Sequence, residues 1–185
     1  MRLSSFAATG VPLQMDIPAP RSWPWCLLSG NKIHTLHYEF EKVHGIASLP
    51  HFVTFACAHL DDRSRVAKLA TAGHPPLLHY QAAAQKITAW RTPSLGLGIN
   101  HEAAFEEIEI AIAPGDLLLA YTDGVIEASN NVAEQFDDEQ LRGVLIAQKH
   151  TSASEISTAV IQAVKDFSAA ETLPDDATVV CVRIT

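Results

Sequence analysis

The chain has 185 residues, of which 48% are hydrophobic and 18% are charged, and its formal net charge is −8 at pH 7. This length allows one domain with a substantial core, and the composition is typical of a soluble globular protein. The acidic balance argues against a nucleic-acid-binding protein, and no apolar run is long enough to span a membrane. The three cysteines, Cys26, Cys57 and Cys181, lack the spacing of metal ligands, which predicts buried thiols in a reducing cytoplasm.

The first part of the chain is predicted to differ from the rest. Residues 1–31 contain prolines at positions 12, 18, 20 and 24, which exclude a long helix and predict an irregular arm. Residues 32–185 are predicted to form the domain. Apolar side chains three and four positions apart in residues 32–43 predict that this domain begins with a helix.

Strands are predicted next along the chain. Residues 52–60 and 65–72 are rich in β-branched, aromatic and other apolar residues and predict a hairpin around a polar turn. Two short strands are predicted at residues 77–80 and 85–90. Residues 105–112 alternate isoleucine with glutamate or alanine, which predicts a strand with one wet face.

Residues 112–130 form the segment around which the prediction is organised. Pro114-Gly115-Asp116 is a turn sequence, and the apolar run of residues 117–121 predicts a strand buried on both faces. Asp123 follows that strand, and Asp175-Asp176 precedes a second predicted strand at residues 177–185. Asp-Gly and Pro-Asp-Asp are also ordinary turn sequences, so a plain turn is one interpretation. The other is a site for a hard divalent cation, which favours carboxylate oxygen.

Two helices are predicted between these acidic segments. Asp137 or Asp138 is the predicted N-cap of the first helix, whose apolar stripe is Leu141, Val144 and Leu145. Ser152 or Ser154 is the predicted N-cap of the second, and Ser152 and Glu155 have the spacing of a capping box. The apolar residues of this second helix recur with a helical period at Ile156, Val160, Ile161, Val164 and Phe167. Strands followed by helices indicate an α+β fold.

Three segments resemble one family when they are taken together. They are Pro-Gly-Asp-Leu-Leu-Leu-Ala-Tyr-Thr-Asp-Gly-Val-Ile-Glu-Ala at 114–128, Asp-Asp-Ala-Thr-Val-Val at 175–180 and Thr-Ala-Gly-His-Pro-Pro at 71–76. Their sequences and order resemble the SpoIIE-like branch of the PPM-type metal-dependent serine/threonine protein phosphatases. The resemblance covers roughly residues 52–185. It implies two stacked antiparallel β-sheets flanked by helices, an αββα sandwich that is incomplete at its N-terminal side.

The resemblance also implies a metal site. Asp123 and Asp175 match the family's metal-binding carboxylates, and no catalytic residue separate from the metal ligands is implied. The positions that match residues flanking or supporting the ligands are Asp176, Glu127, Gly124 and His74. The family binds two Mn²⁺ or Mg²⁺ ions, which activate a water and neutralise charge on the phosphoryl oxygens.

This sequence departs from the family pattern before residue 52. The family's other metal motifs, Gly-Asp-x-x-Asp and Asp-x-x-Gly-His-Gly, are not found. Two aspartates carry a charge of −2 against +4 for two ions, which is too little ligation for a dinuclear site. We therefore expect at most one weakly bound ion and low activity from this chain alone.

The implied function is dephosphorylation of phosphoserine or phosphothreonine on a small bacterial regulatory protein, such as an anti-sigma-factor antagonist. The alternative is a catalytically degenerate domain that binds a phosphoprotein or regulates a partner without turnover. A third interpretation is a structural fragment that needs a second copy of the chain or a partner domain to complete its sheets.

Overall fold

The computed structural model describes residues 6–8, 11–13, 52, 54–96, 99–100, 103–169 and 176–185. The chain divides into two compact units. The first consists of Met1–Ala19, Leu77–Ala89 and Ala113–Thr185, and the second of Pro20–Pro76 and Trp90–Ile112. Each unit contains one antiparallel sheet, and the helices described below belong to the first unit.

The first unit holds a six-stranded sheet. Its strands are β1 (Phe6–Ala8), β2 (Val11–Leu13), β5 (Leu77–Gln81), β6 (Lys86–Trp90), β8 (Leu117–Tyr121) and β9 (Val179–Arg183). Their order across the sheet is β2-β1-β9-β8-β5-β6. Strand β8 lies between β9 and β5, and four of its five residues are buried, so the predicted doubly buried strand is confirmed.

Three helices complete the described part of this unit. They are α1 (Asp123–Ile126), α2 (Asp137–Ala147) and α3 (Ala153–Ser168). Helix α3 packs on β9 through a stripe that includes Ile156, Val160 and Val164, all of them fully buried. The predicted helical periodicity therefore identified the face that covers the sheet.

Side chains accept hydrogen bonds from the first turns of α2 and α3. Ser152 Oγ accepts the Glu155 backbone N–H at 3.2 Å, and Glu155 Oε2 accepts the Ser152 backbone N–H at 2.8 Å, so the predicted capping box is confirmed. Asp137 has a φ of 52°, and its Oδ1 accepts the backbone N–H groups of Glu139 and Gln140 at 2.9 and 3.1 Å. The N-cap position of α2 is Phe136, and of the two predicted residues it is Asp137, the first residue of the helix, whose side chain accepts hydrogen bonds from the first turn.

The second unit holds a three-stranded sheet with the order β3-β4-β7. Its strands are β3 (Phe55–Asp61), β4 (Val66–Ala72) and β7 (Ile108–Ala111). The hairpin predicted for residues 52–72 is confirmed. In β7 the isoleucines alternate with outward-facing residues, and Glu109 pairs with Lys68 of β4 at 2.8 Å. The strand begins at Ile108, later than the predicted residue 105.

The prediction of an irregular arm is wrong for six of its residues. Strands β1 and β2 form an antiparallel pair, and β1 continues the sheet by pairing Phe6 with Val180. Pro12 lies in β2, the outermost strand of the sheet among the described residues, and edge strands are where sheets accommodate proline, which cannot donate to a ladder. The remainder of the predicted arm and the helix predicted at residues 32–43 lie outside the described residues.

The predicted burial of the cysteines holds for one of the two that are described. Cys181 is buried in β9, whereas Cys57 is exposed on β3. Strand β3 is an edge strand in which three consecutive residues are exposed, so its Cys57 is not part of a packed core. Cys26 lies outside the described residues. No helix in the described part of the chain has the length and apolar character needed to cross a bilayer.

Candidate functional site

Asp123 lies directly beyond the C-terminal end of β8. Thr122 is still extended, with φ −87° and ψ 164°, and Asp123 opens the short helix α1. The Asp123 side chain is exposed, and its Oδ1 accepts the Gly124 backbone N–H at 3.1 Å. Glu127 ends α1 by donating its backbone N–H to the Asp123 carbonyl at 2.9 Å, and its own side chain is exposed. The strand thus presents one carboxylate to solvent at its end.

The second acidic segment is joined to this strand end through Thr122. The Thr122 backbone N–H donates to the Thr178 carbonyl at 3.0 Å, and the Thr178 N–H donates to Thr122 Oγ1 at 2.9 Å. The Thr122 hydroxyl in turn donates to the carbonyl oxygen of Asp176 at 3.2 Å. We call this set of three hydrogen bonds among Thr122, Asp176 and Thr178 the Thr122 clamp. It brings the predicted flanking residue Asp176 to the end of β8.

Gly124 makes this approach sterically feasible. A Cβ added to Gly124 would lie 2.5 Å from the Asp176 carbonyl oxygen and 3.0 Å from its carbonyl carbon. Both neighbours are backbone atoms, so any larger residue would have to push the two segments apart. The close packing of backbone on backbone explains why a glycine follows Asp123.

The donor chemistry at this junction fits a hard cation only in part. Asp123 and Asp176 are exposed carboxylate residues, and Asp175, a predicted metal ligand, lies outside the described residues. The described segments contain no group of three or more His, Cys, Asp or Glu residues arranged to hold a metal ion. Exposed carboxylate oxygens suit Mg²⁺ or Mn²⁺ that retains several waters, and those of the described residues do not form a closed protein cage. The assignment of Asp123 and Asp175 as ligands stays a prediction.

His74, another predicted site residue, lies in the second unit just after β4. Its Nδ1 is 2.9 Å from the carbonyl oxygen of Pro75, and the residue is half-buried. Gly73 has a φ of 60°, and a Cβ there would lie 2.9 Å from backbone atoms of Gly96. Its N–H donates to the Ser94 carbonyl at 3.1 Å. The backbone before His74 is therefore held against residues 94–96, and a role for His74 in the site stays a prediction.

A buried polar cluster at the opposite end of β8 was missed by sequence reasoning. The Asp116 carboxylate is 2.9 Å from Nε2 of His79, and it accepts the backbone N–H groups of Ala82 and Ala113 at 2.8 and 3.0 Å. Asp116 is 4% exposed and His79 is 0% exposed, and His79 Nδ1 has no hydrogen-bond partner among the described residues. The available signal was a histidine inside the apolar run of residues 77–80, but it does not identify its partner. This cluster anchors the start of β8 in the sheet, at the other end of the strand from Asp123.

Solved structures similar to this chain share one fold. The SiaA-PP2C domain of Pseudomonas aeruginosa matches with a TM-score of 0.73 at 15% identity, over 88% of this chain and 64% of that one. The PP2C phosphatase domain with a fragment of the regulatory domain of the cell fate determinant SpoIIE from Bacillus subtilis matches with a TM-score of 0.61 at 23% identity, over 71% of this chain and 37% of that one. The Mn-presoaked SpoIIE phosphatase domain matches with a TM-score of 0.60 at 18% identity, over 100% of this chain and 86% of that one.

These likenesses show the fold, which is that of PP2C phosphatase domains. The chain spans less than two thirds of the length of the first two structures. No curated protein sequence matches the chain significantly. The family model for stage II sporulation protein E (SpoIIE) matches residues 30–185, which is most of the chain. The predicted relationship is therefore confirmed, and the chain belongs to the SpoIIE family.

Proposed function

We propose that this chain is a metal-dependent phosphoserine/phosphothreonine phosphatase domain of the SpoIIE type, with low activity on its own. The observation that carries the proposal is the Thr122 clamp. It ties the strand end that bears Asp123 to the backbone of Asp176, and so unites two acidic segments that are far apart in sequence. Asp175 directly precedes Asp176 in the chain, so it is the second residue proposed to hold the metal.

A bound Mn²⁺ or Mg²⁺ would supply an activated water and would neutralise charge on the phosphoryl oxygens. The chain's own contribution is to hold and expose the ligands. Asp123 is exposed at the end of β8, where a phosphorylated side chain of another protein can reach it. Because Gly124 has no side chain, the Asp176 backbone has room to lie next to that strand end.

The proposed substrate is a phosphorylated regulatory protein of the bacterial cytoplasm, such as an anti-sigma-factor antagonist. Two of the similar structures are described as the phosphatase domain of a cell fate determinant, and this description supports a regulatory substrate. The net charge of −8 supports a protein partner in preference to nucleic acid.

Low activity follows from the number of ligands. Two carboxylates are too few for two ions, and each tenfold loss in rate corresponds to about 1.4 kcal/mol of lost transition-state stabilisation. A site that positions one loosely held ion should therefore be slower by several tenfold steps than a dinuclear site.

The test is single-turnover hydrolysis of a phosphoserine peptide by excess purified chain, with and without Mn²⁺. We expect slow, Mn²⁺-dependent release of phosphate that is lost in Asp123→Asn and in Asp175→Asn. The matched control is Asp166→Asn, which changes an exposed carboxylate on α3 that accepts a hydrogen bond from Gln162 at 2.8 Å.

Two results would change the proposal. Fast multiple turnover that requires Asp123 would show that residues before 52 supply the missing ligands, and the expectation of low activity would be wrong. Phosphopeptide binding without phosphate release, unaffected by Mn²⁺, would favour the degenerate binding domain. The specific observation in favour of that second function is that the sequence lacks the family's Gly-Asp-x-x-Asp and Asp-x-x-Gly-His-Gly motifs.

A further inference from the structure

We infer that the solvent-facing side of helix α2 is a self-association surface, on which a second copy of this chain packs its own α2 in the antiparallel direction. The inference goes beyond the proposed function, because it concerns a surface and not a reaction, and it involves no strand edge. The surface consists of Glu139, Gly143 and Ile146 of α2 and of His150 in the turn that follows the helix. We call it the outer face of α2.

The outer face lies opposite the side of α2 that packs on its own unit. Leu141 and Leu145 are fully buried on that inner side. With 3.6 residues per turn, positions 139, 143, 146 and 150 follow one stripe on the far side from these two leucines. All four positions are exposed, and the Ile146 residue is 47% exposed. A large apolar side chain therefore stands in the middle of a solvated helix face.

Gly143 is the feature of this face that the chain's own packing does not explain. A glycine inside a helix is destabilising relative to alanine, because it leaves the backbone more freedom to lose on folding. A Cβ added to Gly124 would meet backbone atoms, whereas one added to Gly143 would have no described atom within 4 Å beyond the neighbouring helix backbone. The fold thus has room for a larger residue at Gly143, and the bare backbone leaves a recess beside Ile146.

The spacing of these residues is self-complementary. In a pair of copies related by a twofold axis, every contact occurs twice with the two partners exchanged. Gly143 and Ile146 lie 1.5 positions on either side of the midpoint between residues 144 and 145, and Glu139 and His150 lie 5.5 positions on either side of the same midpoint. One antiparallel register therefore places Ile146 over the recess at the partner's Gly143, and in the same register Glu139 lies opposite the partner's His150.

Charge complementarity supports the antiparallel direction. The first turn of α2 is acidic at residues 137–139. The turn after the helix carries Lys149 and His150, and Arg183 adds a second cation there by donating from Nη2 to the Lys149 carbonyl at 2.8 Å. An imidazole N–H at that end can donate to the partner's Glu139 carboxylate. A parallel pair would instead bring like charges together at both ends.

The contact is small, so the association should be weak. Helix α2 has 11 residues, and a standard interface uses about 20–30 residues from each partner. We expect a dissociation constant on the order of 100 µM. The test is sedimentation velocity of the purified chain at loading concentrations from about 10 to about 500 µM, which bracket that value. The weight-average mass should rise from that of the monomer towards that of the dimer.

Two sets of variants test the proposed register. Ile146→Ala should weaken dimerisation about tenfold, because the twofold axis removes the contact twice. The matched control is Val132→Ala, which shortens an apolar side chain that is 72% exposed elsewhere in the first unit and should leave dimerisation unchanged. Glu139→Lys and His150→Glu should each weaken the dimer, and the double variant should restore it, because the opposed charges are then exchanged.

Gly143→Gln separates an interface from a merely tolerated glycine. Glutamine is the better helix former and has open space in the single copy, so the melting temperature should rise, which also shows that the variant folds. Its side chain fills the recess, so the dimer should weaken. A chain that stays monomeric at every concentration overturns the inference. So does a dimer that Ile146→Ala and Gly143→Gln leave intact, or a double charge variant no tighter than the single ones.

Discussion

Replacing Asp116 by alanine should destabilise the protein more than any single loss of a surface charge. The carboxylate accepts hydrogen bonds from His79 Nε2 and from the backbone N–H groups of Ala82 and Ala113. Alanine would leave all three donors without their acceptor. A buried donor that loses its partner costs about 1–3 kcal/mol.

The three donors do not contribute equally. His79 is 0% exposed, so water cannot replace the carboxylate and the full penalty applies there. Ala82 is half-buried and Ala113 is exposed, so water can partly satisfy their N–H groups. We therefore expect Asp116→Ala to lower the free energy of unfolding by about 3–5 kcal/mol, a large part of the 5–15 kcal/mol typical of a folded domain.

The assay is equilibrium unfolding in urea, analysed at a common m value for the parent and the variants. The control is Asp62→Ala, which removes an exposed ion pair to Arg65 at 3.0 Å and should change stability by about 0–1 kcal/mol. In the His79→Leu background, Asp116→Ala should be milder by about 1–3 kcal/mol, because the donor ring is already gone. A change below about 1 kcal/mol for Asp116→Ala alone would refute the view that this cluster anchors the sheet.

Three further outcomes can be checked on the same protein. Ser152→Ala should lower the free energy of unfolding by about 1 kcal/mol in urea through loss of the α3 cap. Hydrogen bonds from Ser152 hold the pKa of Glu155 below its usual 4.5, so the Glu155 half of the capping box should stabilise the parent above pH 4.5 and lose its effect in stronger acid. Burial raises the pKa of the Cys181 thiol from 9.0 to about 12. An alkylating reagent at pH 8 should therefore modify exposed Cys57 and leave Cys181 unmodified until urea unfolds the chain. For the same reason, the free energy of unfolding should fall as the pH rises from 9 towards 12. Tyr121→Phe should cost about 1–3 kcal/mol in the same urea assay, because it removes the 2.7 Å hydrogen bond to Asp138; an unchanged midpoint would contradict this.

Local patterns in the sequence predicted the elements whose cause is local. The apolar run of β8, the alternation in β7 and the Ser152–Glu155 box each act within a few residues, and the structure confirms all three. Strands β1 and β2 were missed because each has three residues, too few for a periodic pattern, and because the prolines of residues 1–31 predicted an irregular arm. Helix α1 was missed for a similar reason, since four residues after a strand resemble a turn.

The candidate site could be predicted only in its composition. The family motifs pointed to Asp123, Gly124 and the Asp175–Asp176 pair. They did not reveal the hydrogen bonds by which Thr122 joins the two segments. Thr122 contacts residues 54 and 56 positions away, and Asp116 meets His79 across 37 positions. Contacts at such separations depend on which strands become neighbours, and no spacing rule along one segment reveals that arrangement.

The pairing of Phe6 with Val180 has a consequence for the order in which the protein can fold. Strand β9 lies between β1 and β8, so the last strand of this sequence must enter the sheet between one of the first strands and a central one. Neither neighbour can form its ladder with β9 until residues 179–183 have left the ribosome. Pairing between residues so distant in sequence is slow, because a long loop must close before any contact forms. During synthesis, β1 and β8 therefore each emerge with one unpaired edge, which is open to pairing with another chain until β9 fills the gap.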